Sequence, residues 1–592
     1  MTRRRRAGGV PVAKRSPARR VGRERHGLTL VLIILALVII SGRLIYLQVH
    51  AAPAFAEKAQ SQRTRDIVIA PKRGTIYDRE GNSLAVSREA RTIFASPRFV
   101  TDPAGAGEAL AGVLGGDPEE YAERLQRDSG FVYIARKVDV EHADSIESLG
   151  LSGIGVLKDS RRTYPSGELA APTLGFVGID DVGLGGLEQY YDSVLRGEPG
   201  SVLAERDPFG RPIPGGVMHY EDPVDGDSIV LTIDKDIQYT AQVALQRAVD
   251  QWSAAAGSVI VMDPRNGEIL AMASVPGFNP NKFAEADESD YRNRPITDVY
   301  EPGSTFKTLT AAAVVDAGLF EPESMFELPP NLKVGGRTIK EAHPRPTAHW
   351  TLTEIVTNSS NVGSVKIGMA LGEQSLYDYI ERFGLTEKTG VDFPGEAVGY
   401  VPRVEQWSAT SIANIPFGQG VSMTPLQLAR ALSAVANGGE LVTPHFLLDA
   451  PEGSPVETSW PRRRAISEDA AAATREMLRA AVSEGTGGAA AVEGYEVAGK
   501  TGTAQKARTD GRGYEAGKYI GSFSGFLPAD DPQVLIIVII DEPKGAIYGG
   551  VVAAPVFSEV AQFAVSHLRI PPSSVRPVQS MDGGTVTSTP EP

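Results

Sequence analysis

Gly494-Tyr495-Glu496-Val497-Ala498-Gly499-Lys500-Thr501-Gly502-Thr503-Ala504 can be read in two incompatible ways, and the choice decides the fold. Its first eight residues satisfy the phosphate-loop pattern G-x-x-x-x-G-K-[ST]. A phosphate loop needs a buried strand before the first glycine and a helix after the threonine. Residues 489–493 make a weak strand, Gly502 and the glycine-rich stretch 508–513 cannot make that helix, and Glu496 would point a negative charge into the anion cradle. The alternative reads 497–504 as a strand. Two more strand patterns follow at 519–527 and 534–541, separated by turn-rich loops, so an antiparallel sheet is expected.

Upstream, 257–262 and 268–274 flank the turn Asp263-Pro264-Arg265-Asn266-Gly267, which signals a hairpin. Between the two sheet regions lie helical patterns at 304–317, 353–371, 374–383, 425–437 and 466–482. Strands, then helices, then strands predict an α+β domain whose sheet is assembled from both ends of the domain. Composition changes near Asp227, where a strand over 228–233 and a helix over 234–252 open this domain, taken as 227–570.

The chain has 592 residues, 42% apolar and 22% charged, an ordinary globular composition with room for three or four domains at roughly 150 residues each. Cysteine is absent, which removes disulfides, thiolate metal sites and a cysteine nucleophile. The net charge of -14 hides an asymmetry: residues 1–26 hold ten Lys or Arg against Glu24, a local +9, so the remainder carries -23. This basic run stops at an apolar one, which argues for a membrane rather than nucleic acid. Residues 27–49 supply a 23-residue transmembrane span if Arg43 snorkels, and a bilayer core needs ~17 to 25. The positive-inside rule then makes 1–26 a cytoplasmic tail and puts everything after residue 50 outside the cytoplasm, where nucleotide is scarce. A cleaved signal peptide is the competing reading, through Ala54-Phe55-Ala56. That match lies 14 residues past Ile40, and the n-region is long.

Residues 50–226 are expected to form a non-catalytic platform of mixed α/β character: a stalk at 60–65, a strand at 66–70, tight turns over 73–82, helices from 100 to 160, and a Gly/Pro-crowded stretch at 165–225 that includes Pro208-Phe209-Gly210-Arg211-Pro212. It shows no catalytic cluster. Residues 571–592, rich in Pro, Ser, Thr and Gly, are expected to be a disordered tail.

Eight histidines occur, none with His-Glu-x-x-His spacing, and neither a metal nor a cofactor is expected. Ser304-Thr305-Phe306-Lys307 is the only S-x-x-K, entering a helix after Glu301-Pro302-Gly303. Three residues apart on a helix, both side chains share one face. A serine hydroxyl needs a base to become a nucleophile, and a lysine can be that base if burial or a nearby cation lowers its pKa. Residues 309–315 are apolar on nearly all sides, which predicts burial. Ser359-Ser360-Asn361 follows 55 residues after Ser304; a hydroxyl there can relay a proton and an amide can grip a peptide carbonyl, although alone such a cluster is usually a turn or cap. Lys500-Thr501-Gly502-Thr503 sits on the first late strand, whose edge can align an extended peptide. Its tripeptide recurs at Lys388-Thr389-Gly390, in a loop without strand pattern.

In this order S-x-x-K, S-x-N and K-T-G resemble the penicillin-recognising serine acyltransferases. The resemblance covers about residues 27–570 and includes Arg73-Gly74-Thr75-Ile76-Tyr77-Asp78-Arg79, Arg162-Thr163-Tyr164-Pro165-Ser166-Gly167, Gly186-Leu187-Glu188, Thr232-Ile233-Asp234, Phe417-Gly418-Gln419-Gly420 and Thr424-Pro425-Leu426-Gln427. These look like a class B penicillin-binding protein, and Tyr548-Gly549-Gly550 through Ala554-Pro555-Val556-Phe557 is most similar to the FtsI type that builds septal peptidoglycan. The resemblance implies that Ser304 attacks the penultimate D-Ala carbonyl of a stem pentapeptide with Lys307 as base. Ser359 and Lys500 would serve the leaving amine, Asn361 would orient the peptide, and Thr501, Gly502 and Thr503 would bind the terminal carboxylate and approach the substrate. It further implies peptidoglycan stems and lipid-linked strands as substrates, β-lactams as covalent inhibitors, and a SEDS-type glycosyltransferase among division partners. Ser360 replaces the Asp of the S-D-N form, which suits class B and weakens a β-lactamase reading; about 180 residues of platform would also be useless to a β-lactamase. A β-lactam sensor would need a larger cytoplasmic domain, a carboxypeptidase would use water as acceptor, and a silent division scaffold would not retain all three motifs.

Overall fold

Arg19, Arg20, Arg23, Arg25 and the uncharged run behind them wind into one helix, Ala18–Ile45, which continues as a π-turn, Tyr46–His50. The computed structural model describes residues 18–55, 64–205, 218–454, 456, 458–508 and 513–573. The basic tail before residue 18, most of the expected stalk, the stretch 208–212 and the tail from 574 lie outside the described residues. Over His26–His50 this is the one helix among the described residues long and apolar enough to cross a membrane. Leu28, Leu32, Leu35 and Ile39 are all exposed, as suits a lipid-facing surface. The Arg43 guanidinium lies over the Tyr46 ring at 5.4 Å.

Chain contacts divide the protein into two units, 1–69 with 199–223 and 70–198 with 224–592. Besides the helix, the first contains a three-stranded antiparallel sheet of Thr64–Ile69, Gly200–Glu205 and Met218–Glu221, in that order.

In the second unit the long strand Ser83–Ala95 organises the part before residue 198. The stretch 100–160, expected to be helical, does hold the helices Pro103–Leu114, Pro118–Leu125 and Val140–Ser148. It also holds two strands, Val132–Val138 and Ile154–Thr163, both antiparallel to Ser83–Ala95. Pairing overrides weak local preference here, because Ile134 and Ile93 bury against Leu110, Leu125 and Ile146 only when the strands form.

Three of the motifs quoted above converge on one carboxylate. Glu188 is fully buried and accepts from Arg73 Nε and Arg162 Nε, each at 2.6 Å, and from the Tyr164 hydroxyl at 3.2 Å. Arg73 also reaches Asp192 at 2.6 Å, and Arg162 donates to Gly74 O at 2.6 Å. Removing the shared anion leaves two buried guanidinium groups undercompensated. Glu188→Ala is therefore expected to destabilise this unit by about 3–5 kcal/mol, read as a lowered denaturant midpoint for the full-length protein in detergent.

The remainder of the unit is built on a five-stranded sheet: β1 (Ala256–Met262), β2 (Ile269–Val275), β3 (Ala498–Ala507), β4 (Tyr514–Leu527) and β5 (Val534–Asp541). Its order is β2-β1-β5-β4-β3, antiparallel throughout. Every residue of β1 and β2 is buried, because helices cover both faces and solvent-side alternation disappears. On one face α1 (Lys235–Gln251) and α7 (Ala554–His567) pack through Ile237, Leu245, Phe557 and Val560. On the other lie α2 (Lys307–Asp316), α3 (Leu352–Thr357), α4 (Asn361–Leu371), α5 (Pro425–Ala436) and α6 (Glu468–Ser483), joined through Leu309, Ile355, Val365, Leu432 and Met477. The helix expected over 353–371 is thus two helices with a break at 358–360. Lys500 is opposite Ser524 in the β3–β4 ladder, and the strand continues past Thr501 to Ala507, so the phosphate-loop reading is excluded.

Candidate active site

Gly303–Phe306 is a single 3-10 turn that runs directly into α2. Its entry depends on Gly303, whose φ of +56° is left-handed, and whose N–H donates to Gly418 O at 3.1 Å. A Cβ on Gly418 would stand 2.2 Å from Gly303 O, so the Phe417-Gly418-Gln419-Gly420 stretch is pressed against the turn. Ser304 is half-buried, and its hydroxyl has no hydrogen-bond partner among the described residues. One turn later Lys307 is 1% exposed. Its Nζ donates to Ser359 O at 2.5 Å and Asn361 Oδ1 at 2.8 Å and lies 3.2 Å from Ser359 Oγ.

Those acceptors converge because Ser359 breaks the helix. It adopts a left-handed φ of +56°, a conformation that costs a non-glycine residue about 1–3 kcal/mol and clusters at functional sites. The turn offers both the carbonyl and the hydroxyl of Ser359 to one amine. Ser360, the departure from S-D-N, is the N-cap of α4: its Oγ accepts from Gly363 N at 2.9 Å and donates to Glu341 Oε1 at 2.6 Å. Glu341 Oε2 accepts from Asn361 N at 2.7 Å, and Asn361 Nδ2 donates to Lys340 O at 2.9 Å.

β3 lies alongside the turn. A Cβ at Gly502 would fall 2.2 Å from Ser522 Oγ, 3.0 Å from Thr305 Cγ2 and 3.2 Å from Pro302 O, so only glycine permits this approach. Lys500 is 2% exposed, with Nζ 3.2 Å from Thr501 Oγ1 and 3.3 Å from Thr486 Oγ1; the two threonine hydroxyls are 2.7 Å apart. Thr503 Oγ1 accepts from Gly549 N at 3.3 Å, which ties Tyr548-Gly549-Gly550 to this strand.

Burial, then the positive charge of Lys500, hold Lys307 well below the ordinary lysine range, while Glu341 opposes them. Burial brings Lys500 to about 7. Burial and the Lys500 charge thus both favour the neutral amine at Lys307. Beside the Gly303–Phe306 turn, burial raises the Glu301 carboxyl; it accepts from Gly420 N and the Tyr514 hydroxyl, each at 2.9 Å.

The structure thus brings Ser304, Lys307, Ser359, Asn361, Lys500 and Gly502 to one region, with Thr501 and Thr503 on the same strand. Two participants escaped the sequence reading. Glu341 belongs to no motif, and Thr486 had only its Gly485-Thr486-Gly487 context as a signal. The repeated tripeptide is elsewhere: Lys388, Thr389 and Gly390 line a cleft of about 740 Å³ with Tyr191, Asp392 and Arg430, and the Thr389 hydroxyl donates to Glu396 at 2.6 Å. Glu80, Asp234 and His567 bring potential ligand atoms within 4.8 Å of one another. Asp234 caps α1, and His567 Nε2 is 3.0 Å from its Oδ2, so a helix cap accounts for the pair.

The family model for the penicillin-binding protein transpeptidase domain matches residues 257–562, and that for the penicillin-binding protein dimerisation domain matches residues 68–231. Stage V sporulation protein D of Bacillus subtilis is 38% identical over 93% of this chain and 86% of its own. The peptidoglycan D,D-transpeptidase FtsI of Escherichia coli is 34% identical over 92% of each. The crystal structure of penicillin binding protein 3 from Mycobacterium tuberculosis complexed with ampicillin aligns with a TM-score of 0.68 at 32% identity, covering 86% of this chain and 97% of that one. With a dimerisation domain ahead of a transpeptidase domain and relatives of this kind over nearly its whole length, the chain belongs to the class B penicillin-binding proteins.

Proposed function

We propose that this protein is a peptidoglycan D,D-transpeptidase of the septal wall, held by one membrane helix with its catalytic domain outside the cytoplasm. The observation that carries the reading is the buried Lys307 amine, held by Ser359 and Asn361 one helical turn from a serine hydroxyl that has no hydrogen-bond partner among the described residues. Lys307 in its neutral form takes the Ser304 proton as Oγ bonds to the carbonyl carbon of the penultimate D-Ala. The backbone N–H groups of Ser304 and Thr503 stabilise the oxyanion, whose loss of one donor typically slows such reactions by ~10²- to 10³-fold. The C–N bond then breaks, and the departing D-Ala receives a proton through Ser359 with Lys500 beside it. Asn361 orients the donor stem, and Thr501 and Thr503 hold its terminal carboxylate across Gly502. An amine from a neighbouring stem attacks the ester, the C–O bond breaks, and Ser304 recovers its proton.

On this reading residues 50–226 are the platform and 227–570 the transpeptidase domain, and the platform docks division partners that include a SEDS-type glycosyltransferase. β-Lactams acylate Ser304 as mimics of the donor. The test uses full-length protein in detergent. Benzylpenicillin is expected to give a long-lived acyl-enzyme, and a stem pentapeptide with an acceptor amine to give free D-Ala and a cross-linked product in equal amounts. Multiple-turnover hydrolysis of benzylpenicillin would instead make it a β-lactamase. Fluorescent fusions are expected at midcell in dividing cells.

A further inference from the structure

Glu341 follows the strand Arg337–Lys340, outside all three motifs, yet its side chain is only 7% exposed. Three donors occupy it: Ser360 Oγ at 2.6 Å, Asn361 N at 2.7 Å and Arg345 Nη2 at 2.6 Å. Arg345 is itself fixed, donating to Leu328 O and Pro346 O, each at 3.0 Å, and lying 4.4 Å over the Trp350 ring. The preceding residue completes the grip, because Lys340 O takes Asn361 Nδ2 and so leaves Asn361 Oδ1 turned to Lys307 Nζ. Residues 340 and 341 therefore hold the backbone and the side chain of Asn361 together.

We propose that Glu341 is a positioning residue for the transpeptidase reaction: its carboxylate clamps the Ser360-Asn361 turn, aims Ser359 and Asn361 at the Lys307 amine, and sets a fixed negative charge beside that amine. The inference rests on Ser304 and Lys307 being nucleophile and base. The charged groups that act on Lys307 come from separate elements, Lys500 from β3 and Glu341 from the segment after Arg337–Lys340, with Arg345 paired to Glu341. Lys500 favours the neutral amine and Glu341 the charged one. Loss of the Glu341 charge lets Lys307 shed its proton at lower pH, whereas loss of the clamp slows the reaction at every pH.

The two effects separate in the second-order rate constant for acylation by fluorescent penicillin, measured against pH on full-length protein and normalised to titrated active sites. Glu341→Gln is expected to lower the plateau by about 10- to 100-fold, the scale of a misplaced catalytic group, and to move the acidic limb to lower pH. Glu341→Asp keeps the charge but shortens the reach, so its plateau falls while its limb stays with the wild type; it carries the test should the glutamine variant not fold. A residue that only stabilised the fold would lower the unfolding midpoint and leave both plateau and limb unchanged per titrated site. That outcome, or an unmoved limb in Glu341→Gln, overturns the proposal. Label retained by Ser304→Ala would mark the different failure, that of the nucleophile assignment beneath it.

Discussion

Ser304→Ala is expected to yield a folded protein that takes up no covalent label from fluorescent penicillin and whose cross-linking rate falls by at least about 10³-fold. Without the hydroxyl there is no ester, and no neighbour can supply one in its place. Lys307 is committed to Ser359 and Asn361, and Thr305 Oγ1 donates back to Pro302 O at 2.8 Å. The substitution is structurally mild. The Ser304 side chain is half-buried and makes no hydrogen bond among the described residues, so its loss strands no partner, and stability is expected within about 0.5 kcal/mol of wild type. Gel fluorescence reports the label, a melting curve reports the fold, and a variant with a normal melt and a normal label would remove Ser304 from the reaction.

What could be read before the structure was what a short segment dictates by itself. The β1–β2 hairpin followed from Asn266-Gly267 between two apolar runs. β3 followed from the failure of the residues after Thr501 to make a helix, and it decided against a nucleotide site. S-x-x-K was visible because a helix fixes the distance from Ser304 to Lys307 whatever surrounds it. Long-range pairing was not visible. Val132–Val138 and Ile154–Thr163 are strands because Ser83–Ala95 lies between them, and nothing local announces that partner. Arg73, Arg162 and Glu188 lie in three separate stretches with no shared local pattern; their common purpose is a buried ion cluster spanning more than a hundred residues of chain. The break at Ser359 is marked by polarity, but its left-handed backbone and the hold of Glu341 on the next two residues are not. A lone acid in a loop carries no pattern until the turn it holds is known.

Lys307→Arg is the more exacting test of the base. Arginine preserves the hydrogen-bond donors and much of the reach, but it stays protonated throughout the accessible pH range, so it can hold Ser359 and Asn361 without accepting a proton. Acylation is expected to fall by about 10²- to 10⁴-fold, the usual contribution of a general base. In the wild type, burial and the Lys500 charge depress the Lys307 pKa, so the rate rises on the acidic side as that amine becomes neutral. In Lys307→Arg no such rise remains, since nothing at that position titrates. Lys500→Ala acts in the opposite sense to Glu341→Gln: removing the neighbouring cation lets Lys307 keep its proton to higher pH, and the residual acylation limb moves up. A Lys307→Arg enzyme with a wild-type rate and a wild-type acidic limb would place the base elsewhere in the pocket, with Lys500, brought by burial to about 7, as the group to test next.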